Sequence, residues 1–302
     1  MSPRQSRLAA IEAVVCRDVG RKTSALIEAS RGELAAAAEA LSGARKVGLI
    51  TGFFVPRGEV AAPETDGPVG TALLAAGLAA CGVPARIAVD TPCAEAVRAA
   101  VAATGERVAI DEVALDDRGV IDRLAETWQR DGITHAVSIE RCGPSPDGKP
   151  RNMRGVDVSP WTAPLEKLFM AGSWLKLAVG DGGNEIGMGK LPPGLIARTV
   201  PNGDRIACTT TCDRLVVAGV SNWGAYGLLA ALCVVRPTWS ATLSRFLTAD
   251  RDLAVTRAVV EQAGAVDGVT ARREPTVDGF GPEVHGALIE ELRRIAWSGD
   301  GD

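Results

Sequence analysis

Short apolar segments that are typical of buried strands alternate along the chain with longer segments in which apolar residues recur at helical spacing. The predicted strands are residues 46–52, 86–90, 107–110, 133–139, 175–179 and 213–220. Strands that are joined by helices run parallel, and helices must then cover both faces of their sheet. The alternation therefore predicts a doubly wound α/β fold with a mostly parallel sheet, in which the functional site lies at the carboxyl ends of the strands.

The length and composition of the chain limit the classes of protein to which it can belong. Its 302 residues suffice for a single α/β domain over 1–302, on which we expect the N-terminal helices of residues 5–43 to pack. A formal net charge of −4 and an aromatic content of 4% argue against a nucleic-acid partner. No segment reaches the ~18 apolar residues that span a bilayer, so we expect no membrane association. Seven scattered cysteines without a C-x-x-C pair fit a reducing compartment, and we expect a cytoplasmic protein.

A glycine-rich block at residues 180–189 follows the predicted strand 175–179. Its polar residues and its flanking lysine are Asp181, Asn184, Glu185 and Lys190. Glycine allows a backbone to turn sharply and to approach a ligand closely, so the block is suited to a small-molecule site. Two nucleotide-binding motifs are absent, because Glu185 replaces the third glycine of the dinucleotide motif and Leu191 replaces the Ser or Thr of the phosphate loop. A turn whose acids only cap a helix is the alternative.

Three further polar loops follow predicted strands and should meet the glycine-rich block at the same edge of the sheet: residues 52–70, 140–157 and 220–224. In the first loop, Asp66 is either functional or, like Thr65, a cap of the helix that begins near Pro68. The second loop contains three arginines, whose planar guanidinium groups are suited to carboxylates. These are Arg141, Arg151 and Arg154. We expect one of the three to contact a substrate.

Six short motifs lie in these loops and at the ends of the strands. They are Thr51-Gly52-Phe53, Thr65-Asp66-Gly67-Pro68, Ser138-Ile139-Glu140-Arg141, Asn152-Met153-Arg154-Gly155, the block 180–189, and Gly219-Val220-Ser221-Asn222-Trp223-Gly224. Together they resemble the D-glutamate cyclase family, in particular its C-terminal-type cyclase domain in a stand-alone form, since larger relatives carry an additional N-terminal domain. The resemblance implies a lyase that converts D-glutamate into 5-oxo-D-proline with loss of water, an activity of D-amino acid metabolism.

The implied reaction needs an acid–base pair, donors to an oxyanion and a group that binds a carboxylate. The candidates for acid–base catalysis are Asp66, Asp181 and Glu185. The candidates for substrate binding are Thr51, Gly67, Glu140, Arg141, Asn152, Arg154, Gly182, Gly183, Asn184, Ser221 and Asn222. The sequence requires no cofactor, although Asp66, Asp181 and Glu185 could bind Mg²⁺ or Mn²⁺.

Two other functions remain open at this stage. One is a metal-assisted hydrolase of a lactam or a phosphate ester, and the other is a non-catalytic protein that binds a small molecule. For each of the three functions the expected partner is a small-molecule ligand, and for the lyase it is D-glutamate or a related amino acid. A homo-oligomer is also compatible with the sequence. His135 and His285 are expected to be structural.

Overall fold

The computed structural model describes residues 1–57, 60–117 and 119–297. Numbered in chain order, the strands of these residues are β1 (Val47–Ile50), β2 (Phe54–Arg57), β3 (Val60–Pro63), β4 (Ala85–Asp90), β5 (Ala109–Val113), β6 (His135–Ile139), β7 (Leu175–Gly180) and β8 (Arg214–Val217). The main sheet has the order β5-β4-β1-β6-β7-β8, and every pair in it is parallel. The predicted parallel sheet is therefore confirmed.

Helices cover both faces of this sheet. Those of the described residues are α1 (Pro3–Val15), α2 (Ser24–Ala29), α3 (Glu33–Ser42), α4 (Pro68–Ala80), α5 (Thr91–Thr104), α6 (Val120–Arg130), α7 (Leu165–Ala171), α8 (Leu195–Thr199), α9 (Gly203–Ile206), α10 (Ser221–Val235), α11 (Ser240–Leu243), α12 (Ala249–Ala263) and α13 (Pro282–Trp297). The larger apolar core includes α4 and α10, and the smaller one includes α6 and α7. Leu49 and Ile50 of β1 contribute to opposite cores, because side chains alternate along a strand. None of the described helices is long and apolar enough to cross a membrane.

The N-terminal helices differ from the sequence-based prediction. Apolar residues recur at helical spacing over residues 23–41, which predicts one helix there. The structure instead forms α2 and α3, and the backbone between them turns at Gly32 with a φ of 86°. The carboxylate of Glu12 in α1 accepts hydrogen bonds from the amides of Gly32 and Leu34 at the start of α3. This cap comes from another helix, so the local pattern of apolar residues could not reveal the break. Both α1 and α3 pack against α10.

The order of the strands determines where a ligand can bind. The connections after β1 lead towards β5, whereas those after β6 lead towards β8, so the strand order reverses between the adjacent strands β1 and β6. In open α/β sheets a crevice for ligands forms at this reversal, beyond the carboxyl ends of the strands. Thr51 directly follows β1 and Glu140 directly follows β6. The hairpin β2–β3, which was not predicted, lies within the loop after β1.

Candidate active site

A cavity of about 380 Å³ lies at the predicted edge of the sheet. Its acidic wall residues are Glu64, Glu140, Asp181, Glu185 and Asp278. Its basic wall residues are Arg21, Lys22 and Arg154. Phe53, Val55 and Met153 add an apolar part to the wall. The size of the cavity and its polar groups suit a small, charged ligand.

Three carboxyl groups converge at this site. One oxygen from each of Asp66, Glu140 and Asp181 lies within 4.8 Å of the others, and all three residues are buried. Asp66 comes from the loop before α4, Glu140 from the end of β6 and Asp181 from the end of β7. Glu140 has a φ of 45°, which is unusual for a residue with a side chain and is often associated with functional sites. We call these three residues the acid triad.

The position of Asp66 decides against the alternative that it or Thr65 caps α4. The N-cap of α4 is Gly67, and no side-chain cap is formed there. Instead, the Asp66 carboxylate accepts hydrogen bonds from the amides of Ser221 (3.0 Å) and Asn222 (2.8 Å) at the start of α10. In return, Asn222 Oδ1 accepts a hydrogen bond from the Gly67 amide at 3.0 Å. Asp66 thus accepts hydrogen bonds from amides at the start of α10, and Asn222 accepts one from the N-cap amide of α4. These bonds between the two helix starts hold Asp66 in place.

The triad carboxyls ionise less readily than ordinary carboxyls. Burial raises the pKa of Asp66 to about 8, with a further contribution from the charge of Asp278 and an opposing one from the two amides. Burial and the charge of Asp181 raise the pKa of Glu140 well above its usual range. Burial also raises the pKa of Asp181 well above its usual range, while the neighbouring Arg21 acts in the opposite direction. Protonated carboxyls therefore persist here near neutral pH.

Arg21 was not identified from the sequence, although it is central to the site. Its Nη1 lies 2.6 Å from Asp181 Oδ1, and its Nη2 lies 2.5 Å from Asp278 Oδ2. Burial disfavours its charge, but Asp181 and Asp278 raise its pKa above the ordinary value, so it remains protonated. The loop that presents it is shaped by Asp18, whose Oδ1 accepts hydrogen bonds from the amides of Gly20 and Arg21. The break in helical spacing between residues 16 and 22 was the only available signal.

Glu185 lies in the cavity wall, but its carboxylate is engaged by the glycine-rich block. Oε1 accepts hydrogen bonds from the amides of Asp181 (3.1 Å) and Gly182 (2.7 Å), and Oε2 accepts one from Gly183 at 2.7 Å. Gly183 has a φ of 107°, a conformation that favours glycine. The predicted substrate-binding amides of Gly182 and Gly183 therefore point to Glu185, and this geometry favours a role for Glu185 in shaping the loop.

Arg141 does not lie where a substrate clamp was expected. It is 1% exposed and is absent from the cavity wall. Its guanidinium donates hydrogen bonds to the carbonyls of Gly52 and Ala163, each at 2.7 Å, and pairs with Asp90 at 2.5 Å. All these partners are protein groups, so the contacts of Arg141 hold the neighbouring loops together.

The long loop 140–157 contributes other predicted residues to the wall. Asn152, Arg154 and Asn184 line the cavity. Asn152 Oδ1 accepts hydrogen bonds from the amides of Arg154 and Val156, each at 3.0 Å, so it fixes the turn that carries Arg154. Asn184 Nδ2 donates to the Arg151 carbonyl at 2.9 Å and ties this loop to the glycine-rich block. Of the three predicted arginines, Arg154 is the one that reaches the cavity.

The remaining predicted residues lie next to the triad but do not line the cavity. They are Thr51, Gly67, Ser221 and Asn222. The Ser221 hydroxyl donates a hydrogen bond to Glu140 Oε2 at 2.5 Å. The Thr51 hydroxyl is fully buried and has no hydrogen-bond partner within the described residues. These side chains therefore position the acids or are available to a small group bound among them.

Comparison with known proteins finds a family and a relative that this chain resembles. Residues 11–293 match the family described as "D-glutamate cyclase-like, C-terminal". The chain is also 33% identical over 216 residues to the human protein named "D-glutamate cyclase, mitochondrial", a match that includes 67% of this chain. It spans about a third of the length of that relative, since the match includes 35% of the human protein. The family match, over residues 11–293, contains the acid triad and all residues that line the cavity, including Arg21.

Proposed function

This chain belongs to the D-glutamate cyclase-like family, and on that premise we propose that it is a hydro-lyase that cyclises D-glutamate to 5-oxo-D-proline. The observation that carries the proposal is the cluster of Asp66, Glu140 and Asp181, whose pKa values are raised. Glu140 and Asp181 of this cluster line a cavity that also presents basic side chains. Perturbed carboxyls in a cleft are typical of acid–base catalysis.

The reaction moves two protons from nitrogen to oxygen. The substrate ammonium loses one proton, and the free amine attacks the γ-carboxyl carbon, so that a C–N bond forms. One γ-carboxyl oxygen then leaves as water when its C–O bond breaks, and it takes up two protons that nitrogen has released. The reaction needs no oxidant or reductant. It does need one carboxylate to accept a proton and one carboxylic acid to donate a proton.

The cavity offers carboxyl groups for both tasks. Asp181 lies next to Arg21, which stabilises the ionised form, and we assign Asp181 as the proton acceptor. Glu64 and Glu140 line the same cavity, and burial raises the pKa of each well above the usual range. We assign proton donation to this second pair, because a protonated carboxyl can deliver a proton to the departing oxygen.

The basic wall residues suit the two carboxylates of the substrate. Lys22 and Arg154 are exposed and line the cavity, so they can bind the α-carboxylate without the cost of burying a charge. Asn152 fixes the turn at Arg154, and Glu185 shapes the loop that carries Asp181. We therefore propose that these two residues position the groups that contact the substrate.

We also propose that the protein is located in a reducing compartment, the cytoplasm. All seven cysteines are free in the structure, and burial raises the pKa of Cys142, Cys208 and Cys212, which makes these thiols poor nucleophiles. The name of the human relative places that protein in mitochondria. A small-molecule ligand is the partner that the cavity supports.

A metal-assisted hydrolase is the second candidate, and the acid triad is the observation that favours it. Such an enzyme would open a lactam or cleave a phosphate ester with a water molecule that is activated on a cation. It would act on substrates that contain no free amine next to a γ-carboxyl. Hydrolysis of a simple lactam or of a phosphate monoester, without turnover of D-glutamate, would distinguish this hydrolase from the cyclase.

The direct test of the cyclase is incubation of the purified protein, with and without Mg²⁺ or Mn²⁺, with D-glutamate, L-glutamate or 5-oxo-D-proline. Chiral chromatography follows the interconversion. We expect the D-glutamate and 5-oxo-D-proline pair to interconvert and L-glutamate, the matched control, to remain unchanged. Absence of turnover of the D-pair in every condition would contradict the proposed function.

A further inference from the structure

The cavity is larger than the proposed substrate requires. D-Glutamate has ten non-hydrogen atoms, and each occupies less than the ~30 Å³ that a water molecule takes up in the liquid, so the whole molecule fills less than ~300 Å³. The cavity measures about 380 Å³. Space for further non-hydrogen atoms therefore remains when the substrate is bound.

The apolar part of the wall has little use in binding free glutamate. Its members are Phe53, Val55, Pro56, Met153, Pro201 and Val269. Glutamate consists of two carboxylates and an ammonium on a short stem, so it offers these side chains very little apolar surface. An apolar wall beside a few placed polar groups is the usual form of a site whose ligand has both a polar and an apolar part.

Apolar wall residues lie next to Glu64, one of the two residues to which we assign proton donation. The register of the β2–β3 hairpin places Phe53 opposite Glu64, and the Glu64 amide donates a hydrogen bond to the Phe53 carbonyl at 2.9 Å. A methyl group on Gly268 would lie 2.0 Å from Glu64 Oε1, so the carboxyl group lies directly against the backbone beside Val269. A group that leaves the γ-carbon towards Glu64 is therefore released beside Phe53 and Val269.

The position of Val269 is fixed by a buried carboxylate. Asp267 Oδ1 accepts hydrogen bonds from the amides of Val269 (2.9 Å) and Thr270 (2.8 Å), and Oδ2 accepts one from Gly279 at 2.7 Å. The Val269 side chain is nevertheless 51% exposed. Asp267 thus holds an apolar side chain at the cavity, and a ligand that covers this side chain gains free energy from the burial.

We propose that the cavity also accepts γ-D-glutamyl amides whose amine carries a small apolar group, and that it releases this amine in place of water. A neutral amide also suits the acidic wall better than a second carboxylate does. Glu64, Glu140 and Asp181 line the cavity, and like charges at close range are unfavourable. This activity rests on the proposed function, because the same α-amine attacks the same γ-carbon and only the leaving group differs.

The protons of this reaction balance without a co-reactant. The substrate ammonium loses one proton, the free amine attacks the γ-carbonyl carbon, and the C–N bond of the ring forms. The C–N bond to the leaving amine breaks as its nitrogen takes up a proton from the wall acids. The attacking nitrogen releases two protons in all and the leaving nitrogen takes up two, so the products are 5-oxo-D-proline and an alkylammonium ion. No water, oxidant or reductant is consumed.

Two γ-D-glutamyl amides test this activity on the full chain. D-Glutamine, which releases ammonia, is the small reference, and γ-D-glutamyl isobutylamide is the apolar substrate. Both are incubated beside D-glutamate, with and without Mg²⁺ or Mn²⁺, and chiral chromatography measures 5-oxo-D-proline after subtraction of its formation without protein. We expect kcat/KM for the isobutylamide to exceed that for D-glutamine by at least about 10-fold, the lower end of the range for one methylene group in an enzyme pocket.

Two valine variants locate this preference in the cavity. Val269→Asp places a charge in the apolar part of the wall and should lower the ratio of the two kcat/KM values by about 10-fold. Val156→Asp is the matched control, because Val156 is also an exposed valine but lies outside the cavity wall, and it should leave the ratio unchanged. Equal ratios in the two variants would overturn the assignment to this wall.

The outcomes separate the amide activity from the proposed function. Turnover of D-glutamate without cyclisation of the isobutylamide would support the cyclase and overturn the amide activity. Equal kcat/KM values for the two amides would overturn the preference for an apolar amine. Release of D-glutamate from the isobutylamide, instead of 5-oxo-D-proline, would show attack by water and also overturn it. Cyclisation of the isobutylamide without turnover of D-glutamate would support the amide activity and contradict the proposed loss of water.

Discussion

Two groups of buried charges lie at the carboxyl edge of the same sheet, and they are built differently. The Asp90–Arg141 pair balances one negative with one positive charge, and the guanidinium also donates to the carbonyls of Gly52 and Ala163. The acid triad brings three carboxyl groups together with one paired cation, Arg21 at Asp181, and it lies beside the cavity. Both groups contain buried polar atoms that have no hydrogen-bond partner within the described residues: Asp90 Oδ1 and Arg141 Nε in the first group, and Asp181 Oδ2 in the second. The two groups differ in their access to a ligand, because Glu140 and Asp181 line the cavity whereas Asp90 and Arg141 lie outside its wall.

The difference shows how a buried charge can serve the fold or serve the chemistry. Removing one member of a balanced pair leaves an uncompensated charge, so such a pair is needed for folding once it is present. An excess of buried carboxylates costs stability, and a fold retains it where protonated acids or a bound cation are useful. The predictions below test this distinction, from the largest expected effect to the smallest.

The largest effect on stability should come from Arg141→Met. This change leaves Asp90, which is fully buried, without its cation, and we expect the free energy of unfolding to fall by about 3–5 kcal/mol. Urea unfolding measures the change. Arg154→Met is the matched control, because Arg154 is exposed in the same loop, and it should alter stability by no more than about 0.5 kcal/mol. Equal losses in the two variants would contradict a structural role for the pair.

Stability should also depend on pH through the triad. The pKa of Asp66 is about 8 in the folded protein and about 4 in the unfolded chain, so the folded state binds more protons between these values. The free energy of unfolding should therefore fall as pH rises from about 4 to 8, by up to about 1.4 kcal/mol per unit for this group. Urea unfolding of metal-stripped protein across this range provides the measurement.

In that series, Asp66→Asn removes the titrating group and should make the dependence on pH shallower. The slope is the quantity to compare, since the variant also alters the hydrogen bonds to Ser221 and Asn222 and hence the absolute stability. Asp122→Asn, at an exposed position of α6, is the control and should leave the slope unchanged. An identical slope in the Asp66 variant would show that this carboxyl is already ionised in the folded protein.

The smallest effect should come from Arg154→Ala. Loss of an exposed cation that binds the α-carboxylate should raise KM for D-glutamate by about 10-fold and leave kcat within about threefold, because the contact is the same in the ground and transition states. Steady-state kinetics measure both constants. Lys149→Ala, on the same loop but outside the cavity wall, should leave both unchanged. A fall in kcat with constant KM would place Arg154 in the chemical step instead.

The fold was largely predictable because each strand of the main sheet and most helices leave a local signal. The spacing of apolar residues predicts the alternation of strands and helices. It also predicts a final helix over residues 282–297, and the structure forms this helix with the same ends. The break at Gly32 was not predictable, since it depends on a cap that Glu12 provides from another helix. The hairpin β2–β3 was missed because each of its strands contains a proline, Pro56 or Pro63, and a proline argues against a strand in the sequence.

The site was predictable in its loops but not in the division of tasks among its residues. Asp66, Glu140 and Asp181 follow predicted strands or precede a predicted helix, so the sheet topology brings them together. Arg141 and Arg154 look alike in a sequence, and only tertiary packing buries one and exposes the other. For the same reason, the sequence could not show which acids the backbone amides engage. Arg21 comes from an N-terminal loop with no motif.

One measurement tests most directly whether the triad serves chemistry and the Asp90–Arg141 pair serves the fold. Turnover of D-glutamate and urea unfolding are measured together for Asp181→Asn and Asp66→Asn. We predict that Asp181→Asn lowers turnover by at least about 10²-fold, the scale of lost acid–base catalysis, and that it leaves the unfolding midpoint unchanged or higher. Asp66→Asn should also lower turnover, because the charge of Asp66 contributes to the raised pKa values of Glu140 and Asp181. Near-normal turnover in both folded variants would contradict the account and reduce these acids to structural residues.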